Sequence, residues 1–348
     1  MGGTGASRAA STRGKAKAKA TVTVAVVGAT GAVGREMIAV LEQRRFPVGE
    51  LRLLASPRSA GRTLLAFGRE HEVKPADADA LRGVDVALFS AGSETSKRLG
   101  PMARDLGALV IDNSSAFRMD PLCPLVVPEL NGDALKGHKG IIANPNCSAI
   151  LLCMAIAPLH KAATVKRIVA CTYQAVSGAG ARAMDELEKQ EEAERKGAPL
   201  EHKVFPAVIA HNVIPWVTGL LRDGYSVEET KLRDETRRIL GIEGLPLTST
   251  CVRVPVLRAH AQAVHMELGK PLAPDEALKL YANAPGVRAV REGLPTPREI
   301  AGTDDVVVGR VRTDRAFTPG LALWCVMDQL RKGAALNAVQ IAERLLAS

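Results

Sequence analysis

The sequence predicts an α/β protein in which an N-terminal Rossmann-type domain is followed by a second, α+β domain. Three observations predict this fold class. The chain of 348 residues is longer than one ordinary hydrophobic core requires. Its first part alternates short apolar runs with helix-like segments, which is typical of a doubly wound parallel sheet. Beyond Cys147 the pattern changes to charged helices and separate strand-like runs.

The first predicted strand is the apolar run TVTVAVV, which begins at Thr21. A glycine-rich string from Gly28 to Gly34 interrupts it, and a helical run over residues 35–44 follows. A continuous apolar run of this kind indicates a strand that is buried on both faces. Together, these segments predict a strand, a tight turn and a helix.

Short apolar runs recur after this unit and predict four more strands of the same sheet. They cover residues 51–55, 84–90, 108–112 and 141–143, and a helix is predicted at 93–106. The second domain is predicted to contain a strand at 167–174, helices at 182–195 and 226–240, and a strand pair near 250–257 and 263–268. A helical period over residues 319–346 predicts a long helix that packs back against the first domain.

Three parts of the chain are therefore expected. Residues 1–20 form a disordered basic extension, residues 21–146 together with 328–348 form the Rossmann-type domain, and residues 147–327 form the second domain. The extension has five basic and no acidic residues, so it accounts for +5 of the formal charge of +9. The remaining charge suits small anionic ligands and does not require nucleic acid. An inert extension is favoured over a nucleic-acid arm or a targeting segment.

The cysteines indicate a reducing compartment. Six are present without a CxxC pair or a His/Cys cluster at zinc-ligand spacing, so we expect free thiols, a cytoplasmic protein and no metal site. The longest apolar stretch, residues 150–159, is too short to span a bilayer, which predicts no membrane segment.

The glycine-rich string GATGAVG, from Gly28 to Gly34, matches GxxGxxG between a strand and a helix. In that setting glycines let the backbone approach a pyrophosphate at a helix N-terminus. A tight packing turn is the alternative. After the second strand Ser56, Arg58 and Ser59 stand where an NAD site usually has an acid. Arg58 can pair with a 2′-phosphate, which predicts NADP, although it can also be a solvated loop charge.

Cys147 lies in the string NPNCS, directly before an apolar helical run. Unpaired N–H groups and the positive end of the helix dipole favour a thiolate there, and the thiolate is the attacking form of cysteine. The other five cysteines lie in apolar or strand-like segments and resemble core residues. A thiolate beside a nicotinamide predicts chemistry at the aldehyde level through a thioester. Among seven histidines, His260 is the best proton relay because Arg253 in the same segment can hold an anionic substrate.

With these residues in place, the sequence resembles the aspartate-semialdehyde dehydrogenases from Val24 to the C-terminus. The resemblance rests on VGATGAVG, LFSAG, NPNCS, TYQAVSGAG, EETK, CVRVPVLRAH and KGAALNAVQIAE. It implies NADPH-dependent reductive dephosphorylation of L-4-aspartyl phosphate to L-aspartate 4-semialdehyde, a step towards lysine, threonine, methionine and isoleucine. It also implies that the second domain carries catalysis and dimerisation, in a homodimer or a tetramer.

The resemblance further implies roles for matching side chains. The catalytic set is Cys147 as nucleophile, His260 as general acid/base and Gln174 as an orienting group. The substrate set is Arg253 for the α-carboxylate, Glu228 for the α-amino group, Lys231 and Arg118 for phosphate, and Asn146 beside the thiol. The cofactor set is Gly28, Thr30, Gly31, Val33, Ser56, Arg58, Ser59, Ser177, Gly178 and Asn337, the last near the nicotinamide.

Some alternatives stay open from the sequence. Glu228 and Lys231, three residues apart, also match a solvated helix ion pair. Ala149 and Ala261 stand where relatives often have Thr and Ser, which leaves kinetic detail open. A related reductase that acts on N-acetylglutamyl phosphate shares the thiol, histidine and cofactor loop, but Glu228 favours a free amino group. A non-catalytic homologue that binds dinucleotide or partner proteins, with its tail on nucleic acid, is opposed by the retained catalytic set.

Overall fold

The computed structural model describes residues 21–347, and the predicted basic extension therefore lies outside the described residues. The first sheet has seven strands in the order β3-β4-β2-β1-β5-β6-β7. The pairs within it are parallel except β3 with β4. The strands are β1 (Val22–Val27), β2 (Val48–Ala55), β3 (Thr63–Ala66), β4 (Arg69–Pro75), β5 (Val86–Phe89), β6 (Leu109–Asp112) and β7 (Ile141–Ala143).

Helices α1 (Ala32–Gln43), α2 (Ser93–Asp105) and α3 (Pro128–Asn131) connect these strands. Strand β1 pairs with β2 on one side and β5 on the other, so the strand order reverses at its carboxyl end. In open α/β sheets a ligand crevice forms at such a switch point. The GATGAVG turn follows β1 directly and therefore lies at this crevice.

The second sheet is mixed and has six strands in the order β11-β12-β13-β10-β8-β9. Its strands are β8 (Val165–Gln174), β9 (Leu247–Arg253), β10 (His260–Leu268), β11 (Val287–Ala289), β12 (Val306–Thr313) and β13 (Gly320–Met327). The remaining helices are α4 (Cys147–Ala163), α5 (Ala181–Arg195), α6 (Val227–Leu240), α7 (Pro274–Tyr281), α8 (Pro297–Ile300) and α9 (Leu336–Leu346).

Helix α4 lies in the core of the second unit. Residues 148–156 are all buried, because the helix is apolar on every side and packs between the sheet and neighbouring helices. Its N-terminus follows β7 of the first sheet after only a short turn, 144–146. The fold therefore places the start of a buried helix at the junction of the two sheets.

Two sequence expectations are wrong in detail. The long helix expected over 319–346 is instead strand β13, a π-helical turn at Arg331–Ala335 and helix α9. Residues 320–327 form an almost wholly apolar run, and the period of such a run does not separate a buried strand from a buried helix. The strands near 250–257 and 263–268 exist as β9 and β10, but β8 lies between them. Helix α9 packs with α1 against the first sheet.

The α/β fold class predicted from the sequence is confirmed, with a Rossmann-like first unit and an α+β second unit. No helix within residues 21–347 is both long and apolar enough to cross a membrane. Over the same residues, no group of three His, Cys, Asp or Glu side chains is arranged to hold a metal ion.

Candidate active site

A cleft of about 300 Å³ opens at the junction of the two sheets. The α4 N-terminus, the carboxyl ends of β8 and β9, helix α6 and the turn after β13 all contribute to its wall. The predicted site residues that line it are Val33, Arg118, Asn146, Cys147, Gln174, Ser177, Gly178, Glu228, Lys231, Arg253 and His260. Residues far apart in the sequence thus meet in one cavity.

Cys147 is the first residue of α4, and Asn146 caps the helix. The Asn146 Oδ1 atom accepts from the backbone N–H groups of Ser148 at 2.8 Å and Ala149 at 3.3 Å. This N-cap satisfies donors that the first turn would otherwise leave free. The cap fixes the backbone at Cys147, and its half-buried thiol faces the cleft.

The sequence predicts that the helix N-terminus favours a thiolate at Cys147, and the surroundings of the thiol oppose this effect. Burial raises the pKa of Cys147 to about 11, and the Glu228 carboxylate raises it further, while Arg118 and Arg253 act in the opposite direction. Desolvation penalises the charged form of the thiol. Burial and Glu228 therefore act against the helix N-terminus and the two arginines at this thiol.

Helix α6 presents Glu228, Lys231 and Glu235 on one face, because their spacings of three and four residues return to the same side of a helix. The Glu228 Oε1 atom accepts from Asn146 Nδ2 at 2.9 Å and from Gln174 Nε2 at 3.2 Å. Lys231 Nζ lies 3.6 Å from Glu228 Oε2. Glu228 is buried in the cleft wall, so this pair is not a solvated surface ion pair.

Glu235 is a site residue that sequence reasoning missed. Its carboxylate is almost fully buried, where Oε1 accepts from Arg118 Nη1 at 3.1 Å and Oε2 from the Asn146 N–H at 2.6 Å. Arg118 also donates to the carbonyls of Asn113 and Asn144. Glu235 therefore fixes both a predicted phosphate-binding cation and the cap of the nucleophile helix. Its position seven residues after Glu228 was the available signal.

Arg253 ends β9 opposite Gln174 of β8, and His260 begins β10. The Arg253 guanidinium donates from Nη1 to the Ala175 carbonyl at 2.5 Å and covers the Phe205 ring at 5.8 Å. A side chain on Gly178 would lie 3.1 Å from both Arg253 Nη1 and His260 Nε2. Glycine at 178 therefore keeps these two groups close together and open to the cleft.

The turn after β13 supplies further residues that the sequence did not single out. Gln329 accepts at Oε1 from the Ala259 N–H at 2.8 Å, and its Nε2 donates to Ser177 Oγ. Ala259 has a positive φ of 73°, a conformation that L-residues rarely adopt. The contact from Gln329 holds that strained residue directly before His260. Gln329, Leu330, Gly333 and Ala334 all line the cleft.

The glycine-rich loop has the features of a dinucleotide cradle. A Cβ on Gly28 would lie 2.4 Å from the Ser90 carbonyl oxygen, and one on Gly34 would lie 2.1 Å from that of Gly28, so neither position accepts a side chain. No side chain caps α1 at Gly31, which leaves its first N–H groups for a phosphate. Thr30 belongs to the same turn, and Val33 reaches the cleft.

A single helical turn, Pro57–Ser59, follows β2 almost directly. Arg58 and Ser59 belong to this turn, and Ser56 is the residue before it. Arg58 is exposed and has no side-chain partner within residues 21–347. A free guanidinium beside the Rossmann crevice is suited to a 2′-phosphate.

Asn337 lies in the core, beside the turn that precedes Cys147. It is fully buried and does not line the cleft. Its Nδ2 donates to the Val126 carbonyl and to Asn144 Oδ1, and its Oδ1 accepts from Lys332 Nζ at 2.9 Å. The side chain therefore supports the turn before Cys147, and its place near the nicotinamide stays a prediction.

Comparisons with known proteins agree with this geometry. Residues 23–138 match the family described as semialdehyde dehydrogenase, NAD binding domain, and residues 156–332 match the semialdehyde dehydrogenase dimerisation domain. The aspartate-semialdehyde dehydrogenases of Synechocystis sp. and Aquifex aeolicus are each 49% identical, over 93% of this chain and 97% of theirs. The chain belongs to the aspartate-semialdehyde dehydrogenase family. It is an oxidoreductase, as the resemblance in the sequence predicted.

Solved structures of the family share the fold. Aspartate semialdehyde dehydrogenase II from Vibrio cholerae, crystallised in complex with ASA, superposes with a TM-score of 0.91 at 43% identity and covers 94% of this chain and 99% of its own. The enzyme from Candida albicans, solved with NADP, has a TM-score of 0.72 at 21% identity over 93% of this chain and 98% of its own. The latter likeness concerns the fold alone.

Replacing Gly333 by alanine tests the packing around the nucleophile. The new Cβ would lie 2.9 Å from the Cys147 Cβ and 2.8 Å from the Met327 Cε, so Cys147 must shift. A displacement of about 1 Å at a reacting group costs roughly 10²-fold in rate, and relief of these contacts requires only a few tenths of an ångström, so we expect kcat in the family's dehydrogenase reaction to fall by about tenfold or less. Gly137→Ala is the control, because nothing lies within 4 Å of its Cβ position. Equal kcat for the two variants would contradict the packing account.

Proposed function

We propose that the protein catalyses the reversible, NADPH-dependent reductive dephosphorylation of L-4-aspartyl phosphate to L-aspartate 4-semialdehyde through a thioester on Cys147. The observation that carries this proposal is one cleft in which Cys147, His260, Arg253 and Glu228 face the cofactor loop. A nucleophile, an imidazole that can act as general acid/base and a charge pattern for an amino acid are the parts that this reaction needs.

The charges in the cleft complement the proposed substrate. We assign Arg253 to the α-carboxylate, Glu228 to the α-ammonium group, and Arg118 and Lys231 to the phosphate. A planar guanidinium suits bidentate binding of a carboxylate. The V. cholerae relative whose structure holds ASA supports the same substrate class for this chain.

In the biosynthetic direction, the Cys147 sulfur attacks the acyl carbon and phosphate leaves into the site formed by Arg118 and Lys231. Gln174, which Glu228 holds at 3.2 Å, orients the substrate beside the sulfur. Bound NADPH supplies the hydride that reduces the thioester to the aldehyde level. The resulting thiohemiacetal then collapses while His260 handles the proton, which releases the aldehyde and the free cysteine.

The proposal is tested by assaying the reverse reaction, the phosphate-dependent reduction of NADP by an aldehyde. We expect activity with L-aspartate 4-semialdehyde that depends on phosphate, and little with N-acetylglutamate 5-semialdehyde, because an acylated nitrogen carries no charge for Glu228. Higher activity with the acetylated aldehyde would overturn the substrate assignment. No activity with either would overturn the proposed reaction.

NADP preference is supported by the free guanidinium of Arg58. Replacing it by alanine is expected to raise the KM for NADP about tenfold and to leave the KM for NAD unchanged, since a charge-assisted contact at an exposed site is worth about 1–1.5 kcal/mol. Arg69→Ala, an exposed arginine of β4, serves as the control. Equal kcat/KM with NAD and NADP in the unchanged protein would contradict this preference.

A homodimer is supported by the outer face of the second sheet. Every second residue of β8 from Val169 to Tyr173 points to this face. On the neighbouring strand β10, Ala263 pairs with Cys171 of β8 on one side and with Trp324 of β13 on the other. Tyr173 and Trp324 are only partly covered, with ring centroids 5.3 Å apart. A broad apolar face of this kind is typical of an interface. We assign it to a second copy of the chain.

Ala263→Glu tests this interface. A carboxylate at the centre of the face would be buried without a partner, which costs several kcal/mol, so we expect sedimentation velocity to show monomers. Leu65→Glu on β3 of the first sheet, where the side chain is 76% exposed, is the control and should leave the mass unchanged. Dimers or tetramers of Ala263→Glu as stable as those of the unchanged protein would show that the interface lies elsewhere.

All six cysteines are free, which supports a cytoplasmic location. The product that we assign is the aldehyde from which lysine, threonine, methionine and isoleucine are made, and we propose biosynthesis of these amino acids as the setting.

A further inference from the structure

The second turn of helix α1 carries an acidic side chain, Glu36, that is only 13% exposed. The same helix begins at the glycine-rich turn, where its uncapped N–H groups suit a phosphate. Glu36 lies in the part of the chain that matches the NAD binding domain. Its two arginine partners, Arg258 and Arg331, lie in the part that matches the dimerisation domain. Glu36 therefore joins the two units of the fold.

Each carboxylate oxygen of Glu36 accepts one charge-assisted hydrogen bond. Oε2 accepts from Arg258 Nη2 at 2.8 Å, and Oε1 accepts from Arg331 Nη1 at 2.7 Å. Both guanidinium groups are also bonded to a second acid. Arg258 Nε donates to Asp328 Oδ2 at 2.5 Å, and Arg331 Nε donates to Asp304 Oδ1 at 2.6 Å. A planar guanidinium that is bonded to two acids has a fixed orientation.

The contact with Arg258 leads to the histidine of the cleft. Arg258 precedes His260 by two residues, and Ala259 between them has the positive φ of 73°. An L-residue keeps such a conformation only when its surroundings hold it. Gln329 holds the Ala259 N–H, and Glu36 holds the arginine directly before it. Glu36 therefore contributes to the position of His260 without touching it.

The contact with Arg331 leads to the nucleophile. Arg331 begins the π-helical turn after β13. Gly333 in this turn is so close to the nucleophile that a Cβ on it would lie 2.9 Å from the Cys147 Cβ. Gln329 and Leu330, directly before the turn, line the cleft. A displacement of Arg331 would therefore change both the cleft wall and the packing against Cys147.

We propose that Glu36 is a positioning residue, which holds the cofactor helix α1 at a fixed distance from the segments that carry His260 and contact Cys147. Its effect on rate rests on the proposed function, because a reaction between a bound dinucleotide and a substrate on Cys147 needs the two units in one exact arrangement. A misplacement of about 1 Å between reacting groups costs roughly 10²-fold in rate. Glu36 lies outside the glycine-rich turn, so the affinity for the dinucleotide should be retained.

Amide hydrogen exchange of the full-length protein without cofactor tests the contacts directly. Glu36→Gln keeps the shape of the side chain but places a donating NH₂ group against a guanidinium. We expect the peptides that cover residues 256–261 and 328–335 to exchange about tenfold faster, since losing a hydrogen bond to a charged group favours local opening by at least that factor. Unchanged exchange in either segment would overturn the proposal.

Glu343→Gln is the matched control. Glu343 accepts two hydrogen bonds, both at 2.7 Å, from Arg44, the residue directly after α1. This pair also anchors α1, but neither of its residues lines the cleft. We expect the control to leave exchange in the two segments unchanged.

The burst of NADPH formation separates position from affinity. With L-aspartate 4-semialdehyde and saturating NADP, in the absence of phosphate, the burst rate of Glu36→Gln should fall about tenfold, the scale of a shift below 1 Å. The Kd for NADP, measured by calorimetry, should stay unchanged. A burst rate equal to that of Glu343→Gln would overturn the proposal. So would a loss that a higher NADP concentration removes, because Glu36 would then support only cofactor affinity.

Arg258→Lys tests the same contact if Glu36→Gln does not fold. The lysine has one ammonium group to share between Glu36 and Asp328, so the burst rate should again fall. When both variants fold, the double variant should lose little more than Glu36→Gln alone, and losses that multiply would overturn the proposed route through Arg258. Absence of any burst in the unchanged protein would instead show failure of the proposed function, which the exchange measurement does not require.

Discussion

Replacing Cys147 by alanine is expected to abolish turnover, with kcat reduced by roughly 10⁶-fold, the scale seen when a covalent nucleophile is removed. Loss of an acid/base group alone costs about 10²–10⁴-fold, so the two cases are separable. The measurement is phosphate-dependent reduction of NADP by L-aspartate 4-semialdehyde. NADP binding should be preserved, because the cap on α4 comes from Asn146 and not from the thiol.

Cys123→Ala is the matched control for this variant. Cys123 is also a free cysteine, but it lies in the loop between β6 and α3 and does not line the cleft. Its activity should equal that of the unchanged protein. If Cys147→Ala kept turnover within about a hundredfold of the original, the covalent route would be wrong.

Replacing Arg253 by lysine is the second large effect that we expect. Lysine keeps the charge but lacks the planar pair of donors and the contact with the Ala175 carbonyl, so it cannot both bind a carboxylate at two atoms and stay anchored. Each hydrogen bond to a charged group is worth about 1.5–3 kcal/mol, which predicts a fall in kcat/KM for the aldehyde of roughly 10²–10³-fold.

Arg167→Lys controls for the aromatic contact. Arg167 covers the Phe317 ring at 5.5 Å, much as Arg253 covers Phe205, but it is exposed near the start of β8 and does not line the cleft. Its kcat/KM should stay unchanged. A loss in Arg253→Lys confined to thermal stability, with kcat/KM retained, would show that Arg253 is structural and does not bind substrate.

Periodicity and turn residues were sufficient to predict much of the fold. Strand β7 has the predicted limits, and α2 and α5 begin and end within one residue of them. Strand β13 was misjudged because an apolar run carries no polar face to distinguish strand from helix. The separation of β9 from β10 by β8 is a long-range pairing, and local sequence contains no signal for it.

The sequence identified those site residues whose chemistry is unusual for their position in the chain. A cysteine at a helix start and an arginine beside a histidine were sufficient to select Cys147, Arg253 and His260. The pKa of the Cys147 thiol could not be predicted from the sequence, because it depends on burial and on Glu228, which lies on another helix. The structural contacts of Asn337 could not be predicted either, because Val126 and Asn144, which accept its hydrogen bonds, are far from it in the sequence.

The covalent intermediate provides the most direct test of the account. The protein is mixed with L-aspartate 4-semialdehyde and NADP in the absence of phosphate, so that the thioester forms but cannot be released by phosphorolysis. We predict a burst of one NADPH per active site and a mass increase of one aspartyl group on the peptide that contains Cys147. No burst, or the aspartyl group on any other residue, would contradict the claim that Cys147 carries the acyl group.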